Sequence, residues 1–300
     1  MRIIPKPKQG QTWTQAVLAS MKLACATQGN ILDLSSVPIG TVLPDFELSH
    51  PDRYLSLEVV GGGHWSWFVG DLKFRDLKDG RLSRFSTVGN VLFDTSPGGS
   101  SSRNIVEQVH CQSGGFRWTA PGGADSCLTT VRHCTAAGAT TGFKIIGANA
   151  LSFLFEMCGG VDCETVFDLR EGGSGSVFRQ CVSSDCQKMF WLNGGYVGYI
   201  DAAESERCGT VVEIGGDTAA GFGQTTPYRI HMIDARDVGF ALAAVNKAGT
   251  VTIDVENVKG IPRPVVCTNK NTVPLVLNLT GTTLVQVIEG HVTVNGTVVT

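Results

Sequence analysis

The chain has 300 residues, of which 42% are hydrophobic and 17% charged, with 37 glycines and a formal net charge of −3. This apolar content excludes a disordered chain, and the lack of a Lys/Arg cluster argues against nucleic acid as a partner. No apolar run reaches the roughly 18 residues that a membrane-spanning helix needs, and the abundant glycine indicates a β-rich protein with many tight turns.

The first predicted element is a helix near the N-terminus. Residues 16–26 (AVLASMKLACA) are apolar and end in small residues, as a secretory signal does, but Lys22 interrupts them and a long segment with two prolines precedes them. Thr12 and Gln15 have the spacing of a capping box, and Gly29 suits the position after the last helical turn. We therefore predict a helix rather than a cleaved signal.

The rest of the first 100 residues is predicted to form a small capping or docking region. It contains a connector rich in Pro and Leu (35–54), strand-like pieces such as YLSLEVV and LKFRDL, and a loop at 96–103 (SPGGSSSR) that suits a domain boundary. An open end of a β-sheet invites edge pairing. We expect this region to cover such an end, to dock to a partner, or to do both.

From about residue 101 the chain repeats with a period of about 23 residues. LFEMCGGVDC (154–163) resembles VFRQCVSSDC (177–186), and cysteines recur at steps of 22 to 24 residues in two series: Cys111, Cys134, Cys158, Cys181 and Cys163, Cys186, Cys208. A third series consists of Phe143, Phe167, Phe190 and Val212. Another apolar residue stands two positions after each of these, which is the alternation of a half-buried strand.

A strand-rich repeat of this length predicts a solenoid. The leucine-rich-repeat signature is absent, and propeller blades need about 40 residues. Coils of a β-solenoid stack at the inter-strand distance of about 4.8 Å, so equivalent side chains would form columns with the cysteines inside. We expect mostly free thiols that fill inward corners, although disulfides between coils are geometrically conceivable.

Two segments carry a family resemblance. CETVFDLREGGSGSVFRQC (163–181) and CQKMFWLNGGYVGYIDAAESERC (186–208) look like coils of right-handed parallel β-helix proteins, a class that includes phage tailspikes and pectate-lyase-like polysaccharide enzymes. The resemblance covers roughly 100–300 and rests on the texture of the repeat, without a diagnostic motif. It implies an all-β, right-handed parallel β-helix over 101–300, preceded by an N-terminal helix-plus-β region over 1–100.

Candidate catalytic residues are two aspartates that precede column cysteines. Asp162 and Asp185 are expected to stack one coil apart, with Arg207 in the next coil and Glu164 beside them. Carboxyl groups roughly 5 Å apart suit retaining glycoside hydrolysis, and about 6.5–9.5 Å suits inversion. The alternative is a set of solvated turn residues without a catalytic role.

Three aromatic residues are candidates for binding. Trp191, Tyr196 and Tyr199 are predicted to be exposed, where they could stack on sugar rings, with Glu164 and Arg207 nearby. The alternatives are contact with a neighbouring subunit and plain surface.

Two further constellations suggest other chemistry. The segment GGSGS around Ser174 resembles the nucleophile segment of chymotrypsin-like serine proteases, which would need His133 or His64 as base, but the repeat explains the same glycines as a turn. His110 and His133 stand next to column cysteines and raise the question of zinc, yet the short ligand spacings of zinc sites are missing. We expect no metal and no cofactor.

The sequence therefore favours a virion structural protein of the phage tail or spike type. Its β-helix would serve in particle attachment or in recognition of a host-surface glycan, and its N-terminal region would dock to other virion proteins. The resemblance implies a homotrimer assembled in the reducing cytoplasm of a bacterial host. The alternatives are a polysaccharide-cleaving lyase or glycoside hydrolase of the same architecture and a chymotrypsin-like viral serine protease.

Overall fold

The structure is a computed structural model. It describes residues 1–41, 43–50, 52, 54–63, 67–68, 70–192, 199–215, 228–236, 238–245, 249–255, 258–259, 265–269, 273–280 and 285–299. Within these residues the chain forms one α-helix and 33 β-strands.

The helix, α1 (Trp13–Cys25), begins as predicted. The Thr12 side chain accepts a hydrogen bond from the Gln15 N–H, and the Gln15 side chain accepts one from the Thr12 N–H, so the capping box is confirmed. The helix ends earlier than predicted, with Ala26 as its C-cap, and Gly29 takes its positive φ of 71° in the turn that follows. With 13 residues, α1 is too short to cross a membrane.

The first group of strands lies before residue 100. Strands β1 to β8 are Arg2–Ile3, Asn30–Asp33, Phe46–Leu48, Leu57–Val60, Trp67–Phe68, Leu72–Arg75, Arg81–Thr87 and Val91–Asp94.

The central group shows the repeat most regularly. Strands β9 to β22 are Ser100–Ser102, Ile105–Cys111, Phe116–Thr119, Asp125–Cys127, Thr130–Arg132, Thr135–Ala137, Thr141–Ile146, Ala150–Leu151, Leu154–Glu156, Gly159–Val161, Thr165–Glu171, Val177–Arg179, Val182–Ser184 and Lys188–Leu192.

The last group continues the same stack. Strands β23 to β33 are Tyr199–Glu206, Thr210–Gly215, Tyr228–Arg236, Phe240–Val245, Gly249–Val255, Val258–Lys259, Val265–Asn269, Leu275–Thr280, Val285–Gly290, Val292–Val294 and Thr297–Val299.

The strands form three sheets that run along one axis. Sheet B contains eleven strands, one from each coil: β3, β6, β8, β11, β15, β19, β22, β24, β26, β29 and β31. Sheet C contains β9, β12 and β16, and sheet A contains the other 19 strands. Apart from the antiparallel β32–β33 pair, the strand pairs of the described residues are parallel. The predicted all-β parallel solenoid is therefore confirmed.

The stacking begins well before residue 100. In sheet A, Leu32 pairs with Val59, Val59 with Leu82, and Leu82 with Val106. These steps of 27, 23 and 24 residues match those of the later coils, so the predicted boundary at residue 100 interrupts neither sheet. The N-terminal strands are coils of the solenoid, and α1 lies against the first of them.

Both predicted cysteine columns exist in the central coils. The N–H of Gly159 donates to the Cys134 carbonyl and that of Val182 to the Cys158 carbonyl, each at 3.0 Å, so Cys134, Cys158 and Cys181 lie on successive coils. The second column is joined through sulfur, where the Cys163 N–H donates to the Cys186 thiol and the Cys186 N–H to the Cys208 thiol, each at 3.4 Å. All ten cysteines lie in the described part of the chain, and all are free.

Cys111 is an exception, and its predicted column is wrong. It pairs with Ala136 rather than with Cys134, because the step between these two coils is 25 residues instead of 23. Val109 takes the place next to Cys134. Gln108, which the repeat had aligned with buried Val131, lies instead at a corner with a φ of 54°.

Aromatic rings fill the interior between sheets A and B. Phe116, Phe143, Phe167 and Phe190 of sheet B stack with centroids 4.9 Å apart, and Phe155 and Phe178 of sheet A stack at the same distance. The two columns meet edge to face at 5.1–5.7 Å. Each such ring pair adds about 0.5–1.5 kcal/mol beyond the burial of its area.

Three corners per coil turn the chain with left-handed backbone conformations. Residues other than glycine with φ values of 50–59° lie at these corners: Arg84, Gln108, His133, Met157, Gln180 and Ala202 at the first corner, Asp162, Asp185 and Arg207 at the second, and Asp79, Arg103, Leu128 and Ser152 at the third. A left-handed residue with a side chain costs about 1–2 kcal/mol. The hydrogen bonds to the coils on both sides hold these corners in place.

Candidate functional site

The predicted carboxylate column lies at the second corner. Asp162, Asp185 and Arg207 take equivalent corner conformations in three successive coils. The Asp162 N–H donates to the Ser184 carbonyl at 3.2 Å, and the Asp185 N–H donates to the Glu206 carbonyl at 3.1 Å. The geometry thus brings these three side chains to one edge of the solenoid.

Arg207 forms a bidentate ion pair with the carboxylate of Asp185. Its Nε lies 2.6 Å from Oδ1 and its Nη2 2.7 Å from Oδ2, while the Ser184 hydroxyl donates to Oδ2 at 2.6 Å. These hydrogen bonds lower the pKa of Asp185 to about 2, and the bond from Arg207 has the largest effect. A general acid needs a raised pKa, so Asp185 in this geometry has no proton to give at neutral pH.

Asp162 and Glu164 are exposed side chains. Within the described residues, neither carboxylate has a hydrogen bond or an ion pair. Asp185 faces its arginine, so the corner does not present two carboxylates that converge on a common point. This arrangement matches the solvated-turn alternative.

Trp191 lies at an outward position of sheet B, between Asp168 and Glu213 of the neighbouring strands. The guanidinium carbon of Arg170 lies 3.4 Å from its ring centroid, and the Lys188 ammonium lies 3.5 Å from it. These cations cover the half-buried ring. A sugar could stack on the Trp191 ring only after displacing one of them.

Both cations over Trp191 are held by acids. Arg170 binds the two carboxylate oxygens of Asp168 at 2.9 and 2.7 Å, and Lys188 binds Glu213 at 3.1 Å. The Asp168 side chain is only 1% exposed, and burial alone would raise its pKa. Hydrogen bonds and charge from Arg170 outweigh burial and lower the pKa, so this carboxylate stays ionised.

The aromatic candidates do not form one surface. Tyr199 is half-buried in sheet A, whereas Trp191 belongs to sheet B, and Tyr196 lies outside the described residues. The Tyr199 hydroxyl lies 3.4 Å from Asp201 Oδ1, which also lies 3.0 Å from His231 Nδ1. The structure therefore separates Tyr199 from the second-corner carboxylates and from Trp191.

Within the described residues, neither a protease triad nor a zinc site is assembled. His133 lies at the first corner of its coil, whereas Ser174 bridges to Leu151 beside the third corner, and His64 lies outside the described residues. His110 pairs with Thr135 rather than with His133. The described residues contain no group of three or more His, Cys, Asp or Glu side chains that could hold a metal ion.

Sequence reasoning missed a row of charges on the outward face of sheet A. We call it the charge ladder, and in coil order it consists of Glu107, Arg132, Glu156, Arg179, Asp201, His231 and Asp254. Glu156 lies 3.0 Å from Arg132 and 3.5 Å from Arg179. In the central coils, each member directly follows a buried apolar residue such as Val131 or Phe155. A charged residue one position after each buried apolar residue was the sequence signal that could have revealed the charge ladder.

Comparison with known proteins gives no match: no family model, no curated protein and no solved structure matches the chain. The parallel solenoid is therefore shown by the structure alone. The chemistry rests on the side chains described above.

Proposed function

We propose that the chain is a structural protein of a virion, of the phage tail or spike type. It would act as a rigid β-solenoid in particle attachment or in recognition of a host-surface glycan. The single observation that carries the proposal is the continuous stack of eleven sheet B strands, each hydrogen-bonded to its neighbours, around a closed apolar interior.

Interactions inside and outside the solenoid support a mechanical role. The phenylalanine and cysteine columns fill the interior from coil to coil, so a bend would separate tightly packed rings. On the outside, pairs such as Arg132–Glu156 and Arg207–Asp185 join neighbouring coils. A stack bonded in this way along its whole length suits a shaft or a spike better than a hinged enzyme.

The resemblance to phage spikes supplies the finer parts of the proposal. The chain would form a homotrimer, present an outward sheet to a host glycan and dock to the particle through its N-terminal region. Ten free thiols suit assembly in a reducing bacterial cytoplasm.

The polysaccharide-cleaving alternative lacks an acid at the expected place, because Asp185 is held ionised by Arg207. A direct comparison tests it: wild type and an Asp162→Asn/Asp185→Asn double variant are assayed on capsule and pectin panels. Cleavage by wild type that the double variant loses would establish the enzyme and overturn a purely structural role.

Two measurements test the structural proposal. Multi-angle light scattering at micromolar concentration should give three times the 31.9 kDa of one chain. Gold-labelled antibodies against the chain should decorate tails of phage particles grown from the source of the gene. A monomer contradicts the trimer, and undecorated particles contradict the virion assignment.

A further inference from the structure

A groove of about 400 Å³ opens between α1 and β3 at the N-terminal end of the solenoid. We call it the N-terminal groove, and its walls are Leu18, Met21, Lys22, Cys25 and Ala26 from the helix side and Phe46, Glu47, Leu48 and Ser49 from the strand side. Helix α1 buries Val17, Met21 and Ala24 against the first coil but leaves this space beside β3 open.

Strand β3 is an open edge of sheet B. It pairs with β6 on one side, and the Phe46 N–H donates to the Asp71 carbonyl at 3.1 Å. In a parallel ladder alternate residues bond to opposite neighbours, so the main-chain N–H and C=O of Glu47 point away from β6. Within the described residues no strand lies on that side, and an exposed edge of this kind accepts an extended chain.

The groove beside this edge is mostly apolar, and its rim carries the free cation Lys22 and the Glu47 carboxylate, which is paired with cations of β6. Leu18 and Phe46 are half-buried and face the opening, and Leu48 is buried at its base. Lys22 is exposed and has no carboxylate partner in the described part of the chain. A strand that fits here has apolar side chains at alternate positions and an acidic residue near Lys22.

We propose that the N-terminal groove binds an extended segment of another virion protein, which adds to sheet B as a parallel or antiparallel strand next to β3. Its main chain bonds to Glu47, an apolar side chain enters between Leu18 and Phe46, and a carboxylate meets Lys22. The nature of the partner rests on the proposed virion function. The binding mode rests only on the open edge, the groove and the charge.

The test uses the full chain and a fluorescein-labelled peptide, acetyl-Asp-Val-Thr-Leu-Thr-Val, followed by fluorescence polarisation. Alternate N–H groups of a strand point to opposite edges. Two N-methylated versions of the peptide, blocked at odd or at even positions, therefore differ only in the edge that can bond. One version should lose at least about tenfold in affinity, the effect of about one buried hydrogen bond, while the other binds unchanged.

Matched variants locate the binding on β3. Glu47→Pro removes the outward N–H, a change that edge strands tolerate, whereas Glu47→Ala removes the same side chain and keeps the N–H. We expect Glu47→Pro to weaken binding at least about tenfold relative to Glu47→Ala, and Lys22→Glu to weaken it severalfold. Urea unfolding of each variant verifies that the fold is intact.

Four outcomes overturn the inference. The first three are absence of peptide binding, equal effects of the two N-methylated peptides, and equal affinities of the Glu47→Pro and Glu47→Ala proteins. If Glu47→Pro instead lowers the mass of the free protein in light scattering, a second copy fills the groove and the inference fails. Peptide binding with undecorated particles leaves the binding mode standing and removes only the virion function.

Discussion

At the scale of single residues, many bends of this solenoid are made by residues other than glycine. Most corner positions carry a side chain in the left-handed region, and the residues there range from Met157 to Asp162 and Arg207. Because only the backbone conformation is shared, the first corner carries residue types as different as His133, Met157 and Ala202. The first corner therefore could not be recognised from a repeated residue type, whereas Asp162 and Asp185 at the second corner could be.

The strain at a corner can be removed without touching the interior. Met157 is 48% exposed with a φ of 52°, so Met157→Gly should stabilise the protein by about 1 kcal/mol, because glycine adopts this conformation freely. Met157→Val should destabilise it, since a branched side chain fits this region worst. Urea unfolding of both variants measures the effect, and equal stabilities would contradict corner strain.

Asp168 makes a pH-dependent contribution to stability. Its pKa is lowered in the folded state, so the contribution is complete above the ordinary pKa near 4 and is lost as the pH falls through the folded value. Asp168→Asn leaves Arg170 and Lys144 without this partner and should cost about 3 kcal/mol at pH 7. Unfolding experiments at pH 7 and pH 3 should show the difference from wild type shrinking in acid; a constant difference would contradict the ion pair as its cause.

At the scale of elements, the strand columns were predictable where one buried residue type repeats. The phenylalanine column and the columns of Cys134 and Cys163 could be read directly, because interior positions accept few residue types. The sequence placed Cys111 in the column of Cys134, whereas the structure places it in the column of Ala136. The spacing of cysteines alone could not reveal that this coil is two residues longer than predicted. The charge ladder was missed because surface positions vary freely between Arg, Glu, Asp and His.

The coils before residue 100 were missed for a related reason. In sheet A, their columns use Leu32, Val59 and Leu82 without a repeating cysteine or phenylalanine, and the first step is 27 residues long. For the candidate site, the sequence could predict that Asp162, Asp185 and Arg207 occupy equivalent positions in successive coils, but not how their side chains interact. That Arg207 binds Asp185, and that two cations cover Trp191, depends on side-chain directions that the repeat does not encode.

The aromatic columns should dominate the stability of the central coils. Phe167 contacts the rings of four phenylalanines: Phe143, Phe155, Phe178 and Phe190. Phe167→Ala should lower the free energy of unfolding by about 4 kcal/mol, because it leaves a cavity that rigid neighbouring coils cannot close. Phe240→Ala, at a half-buried strand end, serves as the matched control and should cost clearly less in urea unfolding. Similar losses would contradict a rigid interior.

At the scale of the whole molecule, the ten thiols report whether the stack stays closed. Nine of them are buried, and Cys127 alone is half-buried. Burial raises the pKa of Cys158 and Cys181, so thiolate forms there only when neighbouring coils separate. Reaction of either of these two thiols therefore measures the opening of the solenoid rather than local side-chain motion.

The difference in exposure between Cys127 and the nine buried cysteines predicts the time course of thiol modification in native protein. With an aromatic disulfide reagent at pH 8, one thiol of the ten should react first, and Cys127→Ser should remove that phase while leaving the slow reactions unchanged. All ten should react at once in denaturant. Because a coil in the middle of the stack is bonded on both sides, Cys158 should be among the slowest, which mass spectrometry of labelled peptides can establish. Rapid labelling of Cys134, Cys158 and Cys181 in the native state would mean that the stack opens readily, and a rigid shaft would then be untenable.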